Sequence, residues 1–355
     1  MKTIQLDDYN IQIGDIWSTF NTFLKERNYS KIAILVDDNT HQHCLPILEK
    51  NTPDFDFLKI KISAGEQHKN IETCQNIWQQ MMELGMNRNA LIINLGGGVI
   101  GDMGGFSAST FKRGMDFLQM PTTLLSQVDA SIGGKLGIDF MQVKNSIGLF
   151  KNPQAVFIAP EFLQTLPFNE IRSGFGEIIK HTLIDNAEQW ANLQSITDLS
   201  KVDWPTYLAP SLHIKKRIVE EDPFEKGIRK ALNFGHTVGH AIEGWALETE
   251  KSLLHGEAIA IGMICEAWLS HQVVGLPMAA VNEIVKFILK TYEFYPLEEA
   301  AFSAFLHLMT KDKKNENDAI NFTMIQPIGK AIINQTASPE LILESLKFYN
   351  GFLDV

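Results

Sequence analysis

The chain has 355 residues, 45% hydrophobic and 21% charged, enough for a folded protein of two domains. Its 31 Lys and Arg against 42 Asp and Glu give a net charge of −11. No global basic field exists to hold nucleic acid or an anionic membrane, although a local cluster of cations can still hold a small anion. Cys44, Cys74 and Cys265 form no C-x-x-C and leave one unpaired in any disulfide scheme, which fits a reducing, cytoplasmic setting. The N-terminus shows no apolar leader pattern. The most apolar stretch, Ala258 to Leu269, is interrupted by Glu266, so neither export nor membrane insertion is expected.

In chain order, Lys31 to Val36 is a β-branched apolar run closed by Asp37 and reads as a buried strand. Phe57 to Ile62 alternates like a second strand and leads into Ser63 to Lys69; Ile71 to Leu84 then has helical spacing. Leu91 to Leu95 is a third strand. It runs into Gly96-Gly97-Gly98-Val99-Ile100-Gly101-Asp102, followed by a small-residue helix predicted over Met103 to Phe111. Strand, glycine turn and helix put backbone N–H groups and a helix N-terminus against a pyrophosphate. The G-x-G-x-x-G pattern is weak alone, and no acid ends a following strand about 20 residues on. Asp37, at the end of the earlier strand, is the alternative partner for an adenosine ribose.

Gly133 and Gly134 beside Lys135, then Lys144 and Asn145, together with Arg113, suit close backbone approach to an anion. Each lysine taken singly reads equally well as a surface charge. Asn152 to Ile158 is predicted as the last strand of the first sheet. From about Pro160 helical patterns dominate: Glu161 to Leu166, Ile171 to Ile184, Leu208 to Val219, Arg229 to Leu247, His255 to Val274 and Met278 to Lys290. A domain boundary is placed between Pro160 and Pro167, giving domains 1–163 and 164–355. Lys311 to Asp318 is a charged loop, Ile320 to Ile325 and Ala331 to Ile333 a small hairpin, and Ser338-Pro339 the start of a final helix.

In the second half, His236, His240 and Glu243 fall on one face if their segment is helical, and His255 follows nearby. Glu177 and Lys180, three apart, are predicted at the start of a helix. Glu177 with two histidines would leave a metal open to water or substrate, while a Glu177–Lys180 surface ion pair is the commoner fate of such spacing. Spacing does not say which two histidines serve.

These segments together resemble the 3-dehydroquinate synthase family. The matching blocks include Ser63 to Lys69, Gly96 to Gly114, Pro121 to Gly137, Lys144 to Phe150, Phe162 to Lys180, Arg229 to Glu243 and Leu254 to Glu257. The resemblance implies an N-terminal nucleotide-binding α/β domain and a mainly α-helical C-terminal domain, with the active site in the cleft between them. It implies a homodimer and conversion of a sugar phosphate, 3-deoxy-D-arabino-heptulosonate 7-phosphate, to 3-dehydroquinate and phosphate, with NAD and zinc or cobalt.

By the same resemblance Glu177, His236 and His255 are the metal ligands. Asp37, Glu66, Lys69, Gly98, Val99, Ile100, Gly101, Asp102, Thr122, Thr123, Leu125, Lys135, Lys144, Phe162 and Thr165 fall on cofactor positions. Asp129, Lys135, Asn145, Lys180, Lys215, Arg229, Asn233 and His240 fall on substrate positions, and Lys313, ahead of Lys314, is the choice for the C-terminal basic residue. Arg113 falls on a position that reaches the phosphate across a dimer interface. Leu136, Asp139 and Val143 stand where the family commonly carries Thr, Asn and Gly. A polyol dehydrogenase of related fold, another sugar phosphate cyclase and an inactive NAD-binding protein are the rival readings.

Overall fold

The structure is a computed structural model that describes residues 1–141, 143–247, 249, 252–311 and 319–353. It divides into two compact units. The first comprises Met1–Pro167 and Asp203–Lys216, the second Phe168–Val202 and Arg217–Val355.

The first unit is built on strands β1 (Lys2–Gln5), β2 (Asn10–Ile13), β3 (Ile32–Val36), β4 (Leu58–Lys61), β5 (Leu91–Gly96), β6 (Asp116–Pro121) and β9 (Ala155–Ile158), in the order β1-β2-β9-β6-β5-β3-β4. A separate antiparallel hairpin, β7 (Lys135–Phe140) and β8 (Val143–Phe150), lies outside that sheet. All sheet pairings except β1 with β2 are parallel. Parallel strands need apolar cover on both faces. Ile92, Ile60 and Phe117 pack on one side with helix α4 (Ile71–Glu83) and helix α5 (Gly98–Thr110). Leu91, Ile93 and Phe157 pack on the other with α1 (Trp17–Glu26), near α2 (Asp38–His43) and α3 (Leu45–Asn51). This explains why β3 and β5 read as uninterrupted apolar runs. From β3 the chain passes to β4 at one edge, whereas from β5 it passes to β6 on the other side. The carboxyl ends of β3 and β5 therefore form the switch point where such sheets bind ligands.

The second unit is mainly helical: α6 (Phe168–Asp185), α7 (Ala187–Leu193), α9 (His236–Ala246), α10 (His255–Val274), α11 (Met278–Thr291), α12 (Phe302–Thr310) and α13 (Pro339–Asn350), with a hairpin of β10 (Asn321–Ile325) and β11 (Ala331–Thr336). Helix α8 (Trp204–Glu221) begins in the first unit, and the division falls between its Lys216 and Arg217. Ser338 caps α13 by accepting from the Leu341 N–H, with Pro339 in the first turn. No described helix is long and apolar enough to cross a membrane.

Three local expectations are corrected. Helix α5 begins at Gly98 rather than Met103, so the glycines themselves form its first turn. Glu177 and Lys180 lie in the second half of α6 rather than at a helix start, because Phe168 to Ser173 are already helical. Arg229 to Leu247 is not one helix: a 3-10 turn spans Ile228–Asn233, and α9 starts only at His236. Gly235 causes the break. Its φ is +79°, in the left-handed region, and a Cβ there would meet Met263 Cγ at 2.6 Å.

Candidate metal and nucleotide sites

In the second unit α10 comes against two helices at backbone distance. A Cβ on Gly256 would stand 1.8 Å from the Ser173 carbonyl oxygen of α6, and one on Gly262 would stand 1.9 Å from the Gly235 oxygen at the start of α9. No larger residue fits at either crossing. The close approach brings Glu177 of α6, His236 of α9 and His255 of α10 together.

Glu177 Oε1 lies 3.6 Å from His236 Nε2 and 3.6 Å from His255 Nε2. Ligands held about 2.1 Å from a tetrahedral ion stand about 3.4 Å from one another. Each ring nitrogen therefore already stands from the carboxylate oxygen at near the separation that a small divalent cation requires. The other ring nitrogens are turned away and engaged: His236 Nδ1 is 3.1 Å from the Phe234 carbonyl oxygen, and His255 Nδ1 is 3.1 Å from Glu243 Oε2. Nδ1–H donation to these oxygens leaves each Nε2 lone pair for a metal. Glu177 is fully buried, and its Oε2 pairs with the equally buried Lys180. With Oε2 paired to Lys180, the remaining carboxylate oxygen and the two Nε2 lone pairs are three acceptors turned toward one another, so the donor set fits an ion.

His240 is exposed, one turn along α9 from the buried His236, with ring centroids 5.0 Å apart. His236, His240 and His255 each offer a ring nitrogen within a 4.8 Å cluster, so the histidine set that spacing left open is brought together whole. Partial burial disfavours a proton on His255, but the Glu177 and Glu243 carboxylates outweigh it and push its pKa up to about 9. Arg229, buried, donates to the Pro223 carbonyl, and its own N–H joins those of Lys226 and Gly227 on the Asp222 carboxylate. Asn233 donates to Glu225 at 2.8 Å.

In the first unit the glycine turn ends β5 at the switch point, and Asp37 sits at the end of β3. Asp37 caps α2 in a reciprocal box with Thr40, which occupies one of its oxygens. Gly97, at the N-cap of α5, carries no side-chain cap, and Gly98, Val99, Gly101 and Asp102 are partly exposed while Ile100 is core. Lys69, buried, ties this turn to the hairpin: its Nζ donates to Asp102 at 2.7 Å and to Asn145 Oδ1 at 2.7 Å, with Glu66 at 4.0 Å. Burial alone would lower the Lys69 pKa, yet the Asp102 and Glu66 charges raise it above the ordinary lysine value. Thr122 is buried and Thr123 half-buried, the latter bonded to Ser126 at 2.8 Å, and Leu125 is half-buried beside them.

Lys135 and Lys144 are exposed on the hairpin, and Asn145 there has φ +49°. Lys215 pairs with Asp129 at 2.6 Å. Arg113 is exposed, with positive φ at Lys112, Arg113 and Gly114 in succession. Thr165 is exposed, whereas the Phe162 ring is core, packed edge-on against Trp17, so only its backbone is available to a ligand. Lys313 and Lys314 lie outside the described residues.

The unusual residues of the hairpin have structural roles. Leu136 packs over Gly105 of α5, and Asp139 Oδ1 accepts from the Asn145 N–H at 2.7 Å, a bond that an Asn oxygen would equally make. Two acids take roles in the second unit's centre that pattern reading did not assign: Glu243, expected only to share a helical face with His236 and His240, is the partner of His255, and Glu266 of α10 gave no signal beyond a charge inside an apolar helix.

A parallel sheet with a glycine turn at its switch point and a histidine–carboxylate centre carried by one chain define the class: an enzyme with a doubly wound α/β half and a helical half with a metal-type donor set. Residues 59–173 match the family described as 3-dehydroquinate synthase N-terminal and residues 174–315 the one described as 3-dehydroquinate synthase C-terminal. A 3-dehydroquinate synthase of Parabacteroides distasonis is 42% identical over 339 residues, covering 94% of this chain and 96% of that protein. The chain belongs to the 3-dehydroquinate synthase family.

Among solved structures, a 2-deoxy-scyllo-inosose synthase complexed with carbaglucose-6-phosphate, NAD+ and Co2+ is similar with a TM-score of 0.87 at 23% identity, covering 98% of this chain and 99% of that one. ValA, a 2-epi-5-epi-valiolone synthase from Streptomyces hygroscopicus subsp. jinggangensis with NAD+ and Zn2+ bound, gives 0.84 at 24% identity, covering 99% and 98%. At these identities the likeness establishes the fold.

Proposed function

We propose that the protein converts 3-deoxy-D-arabino-heptulosonate 7-phosphate to 3-dehydroquinate and inorganic phosphate, using NAD and a zinc or cobalt ion held by Glu177, His236 and His255. The observation that carries this reading is the convergence of those three side chains, both imidazoles oriented by Nδ1 partners, in a chain of this family. When bound, the ion supplies Lewis acidity toward substrate hydroxyls, and NAD supplies a hydride acceptor that is restored within the turnover.

The chain's own residues do the rest. His240, exposed beside the ligands, exchanges a proton with the substrate. Lys180, held against Glu177, and Arg229, held by its own loop, offer positive charge to substrate oxygens in the second unit, with Asn233 as a neutral donor. In the first unit Lys215 and Asp129, and Lys135 and Asn145 of the hairpin, serve the substrate. The glycine turn with Asp37, Glu66, Lys69, Asp102, Thr122, Thr123, Leu125 and Lys144, and the 162–165 turn, hold the dinucleotide. A dianionic phosphate accounts for so many cations in a chain of net charge −11, since salt screens the distant acids beyond about 8 to 10 Å. The enzyme acts in the cytoplasm as a homodimer, and Arg113, exposed in a turn of its own, reaches the phosphate bound by the other copy.

Pure protein is incubated with the heptulosonate phosphate, NAD+ and zinc or cobalt. Release of phosphate and dehydroquinate without accumulating NADH is expected. Steady NADH production would make it a dehydrogenase, and no reaction by metal-loaded protein would overturn the proposal.

A further inference from the structure

We propose that Glu266 is a positioning residue for the metal centre: a buried countercharge that fixes the start of α9 and lets a cation sit at His236. The inference rests on the proposed metal role of His236. Glu266 has no exposed surface and lies in the fourth turn of α10, among apolar neighbours. Its Oε2 accepts from the Gly235 N–H at 2.6 Å, and its Oε1 from the N–H groups of Thr237 at 3.0 Å and Val238 at 3.1 Å. These donors belong to the first turn of α9, whose N-cap, Gly235, has no side chain of its own. The cap that a Ser or Asp ordinarily supplies from within the chain comes from another helix.

His236 is the first residue of α9, where a helix carries the equivalent of about half a positive charge. That end suits an anion and disfavours a divalent cation. The Glu266 carboxylate turns the free N–H groups toward itself and sets a full negative charge against the positive end. The same bonds fix the backbone on both sides of His236, and so the direction in which Nε2 points. The near-contact of α9 and α10 at Gly262 is what lets a glutamate on α10 reach this turn.

The test uses full-length protein stripped of metal, titrated with Co2+ against a competing chelator, with the visible cobalt spectrum as the signature of coordination. E266Q keeps the shape and removes the charge. It is expected to weaken cobalt binding by about 10- to 100-fold, as loss of an outer-sphere partner does, and to shift the spectrum. E266D keeps the charge but retracts it by one methylene, and is expected to fall between wild type and E266Q. The control is N186A, which removes the cap of α7, a bond from the Gln189 N–H at 2.9 Å, and is expected to lower the melting temperature with cobalt affinity unchanged.

Wild-type affinity and spectrum in folded E266Q would overturn the inference. So would equal weakening in N186A, which would mark the effect as general loss of stability. If E266Q does not fold, wild-type affinity in E266D overturns it in the same way. A wild-type protein that takes up no cobalt overturns the proposed metal site and this inference with it, whereas wild-type binding unaltered in the Glu266 variants overturns this inference alone.

Discussion

Glu243 Oε2 stands 3.1 Å from Nδ1 of His255, completing a carboxylate–histidine pair whose other ring nitrogen faces Glu177. Both residues of the pair belong to the helical unit, on α9 and α10. Removing the carboxylate frees the imidazole to rotate and to change tautomer. E243A is expected to weaken metal binding by about tenfold, with E243Q less affected because its amide oxygen still accepts. Chelator competition checks this, and an unchanged dissociation constant in E243A would deny Glu243 any role in orienting the ligand.

His240 of α9 and His255 of α10 are expected to separate cleanly. H255A loses bound metal. H240A keeps it and loses turnover, because His240 is exposed and lies beside the ligands. Metal content by mass spectrometry alongside kcat distinguishes them; equal metal loss in both would mean that His240 is a ligand.

His255 sets a pH dependence. Its pKa is raised in the folded chain to about 9, above the ordinary value of about 6.5. The resulting stabilisation of metal-free protein is fully present below about pH 6.5 and is lost as pH rises through about 9. A metal ion must displace that proton, so affinity falls by about tenfold for each pH unit below 9. Melting curves of stripped and loaded protein should converge toward low pH and separate toward pH 9. A metal affinity independent of pH between 6.5 and 9 would contradict this.

Lys69 joins the glycine turn to the β7–β8 hairpin through Asp102 and Asn145. K69M leaves the Asp102 carboxylate without its closest cation and is expected to cost about 3 kcal/mol in urea unfolding, in the range for breaking one half of a buried pair. D102N should cost less, since Lys69 keeps Asn145. NAD affinity is expected to fall in both, with metal affinity intact.

Asp222 gathers the loop that carries Arg229. Burial works to raise its pKa, but the N–H groups of Lys226, Gly227 and Arg229 and the Arg229 charge together hold it below the ordinary carboxylate value. The loop is therefore held above the unfolded pKa of about 3.9 and is released as pH falls through the lower folded value. D222N is expected to raise KM for the sugar phosphate several-fold while metal affinity stays as in wild type. Unchanged KM would remove Arg229 from substrate binding.

The strands β3, β5 and β9 were legible because a parallel strand covered on both faces has to be apolar throughout, β4 because an edge strand with one face exposed alternates, and the glycine turn because only glycine suits that approach. Helix α9 was legible only in part. Its periodicity runs back through Arg229, and nothing in that spacing reports that Gly235 is pressed against α10 and breaks the helix there. The β7–β8 hairpin escaped because its second strand is exposed along most of its length and has no buried face to impose an alternating pattern.

By itself the sequence determined which residue types are present, their local periodicity, and a resemblance carried by many short motifs in one order. Those are properties of neighbours along the chain. Tertiary structure alone decided that Asp203–Lys216 groups with the N-terminal unit and that an acid in the middle of an apolar helix caps the start of another, and it supplied the geometry by which Glu177 meets the two imidazoles that the resemblance had implied. The reason is distance. Glu177, His236 and His255 are 59 and 19 residues apart in the chain, and what brings them within 3.6 Å is the glycine crossings of α10, where absent side chains let backbones touch.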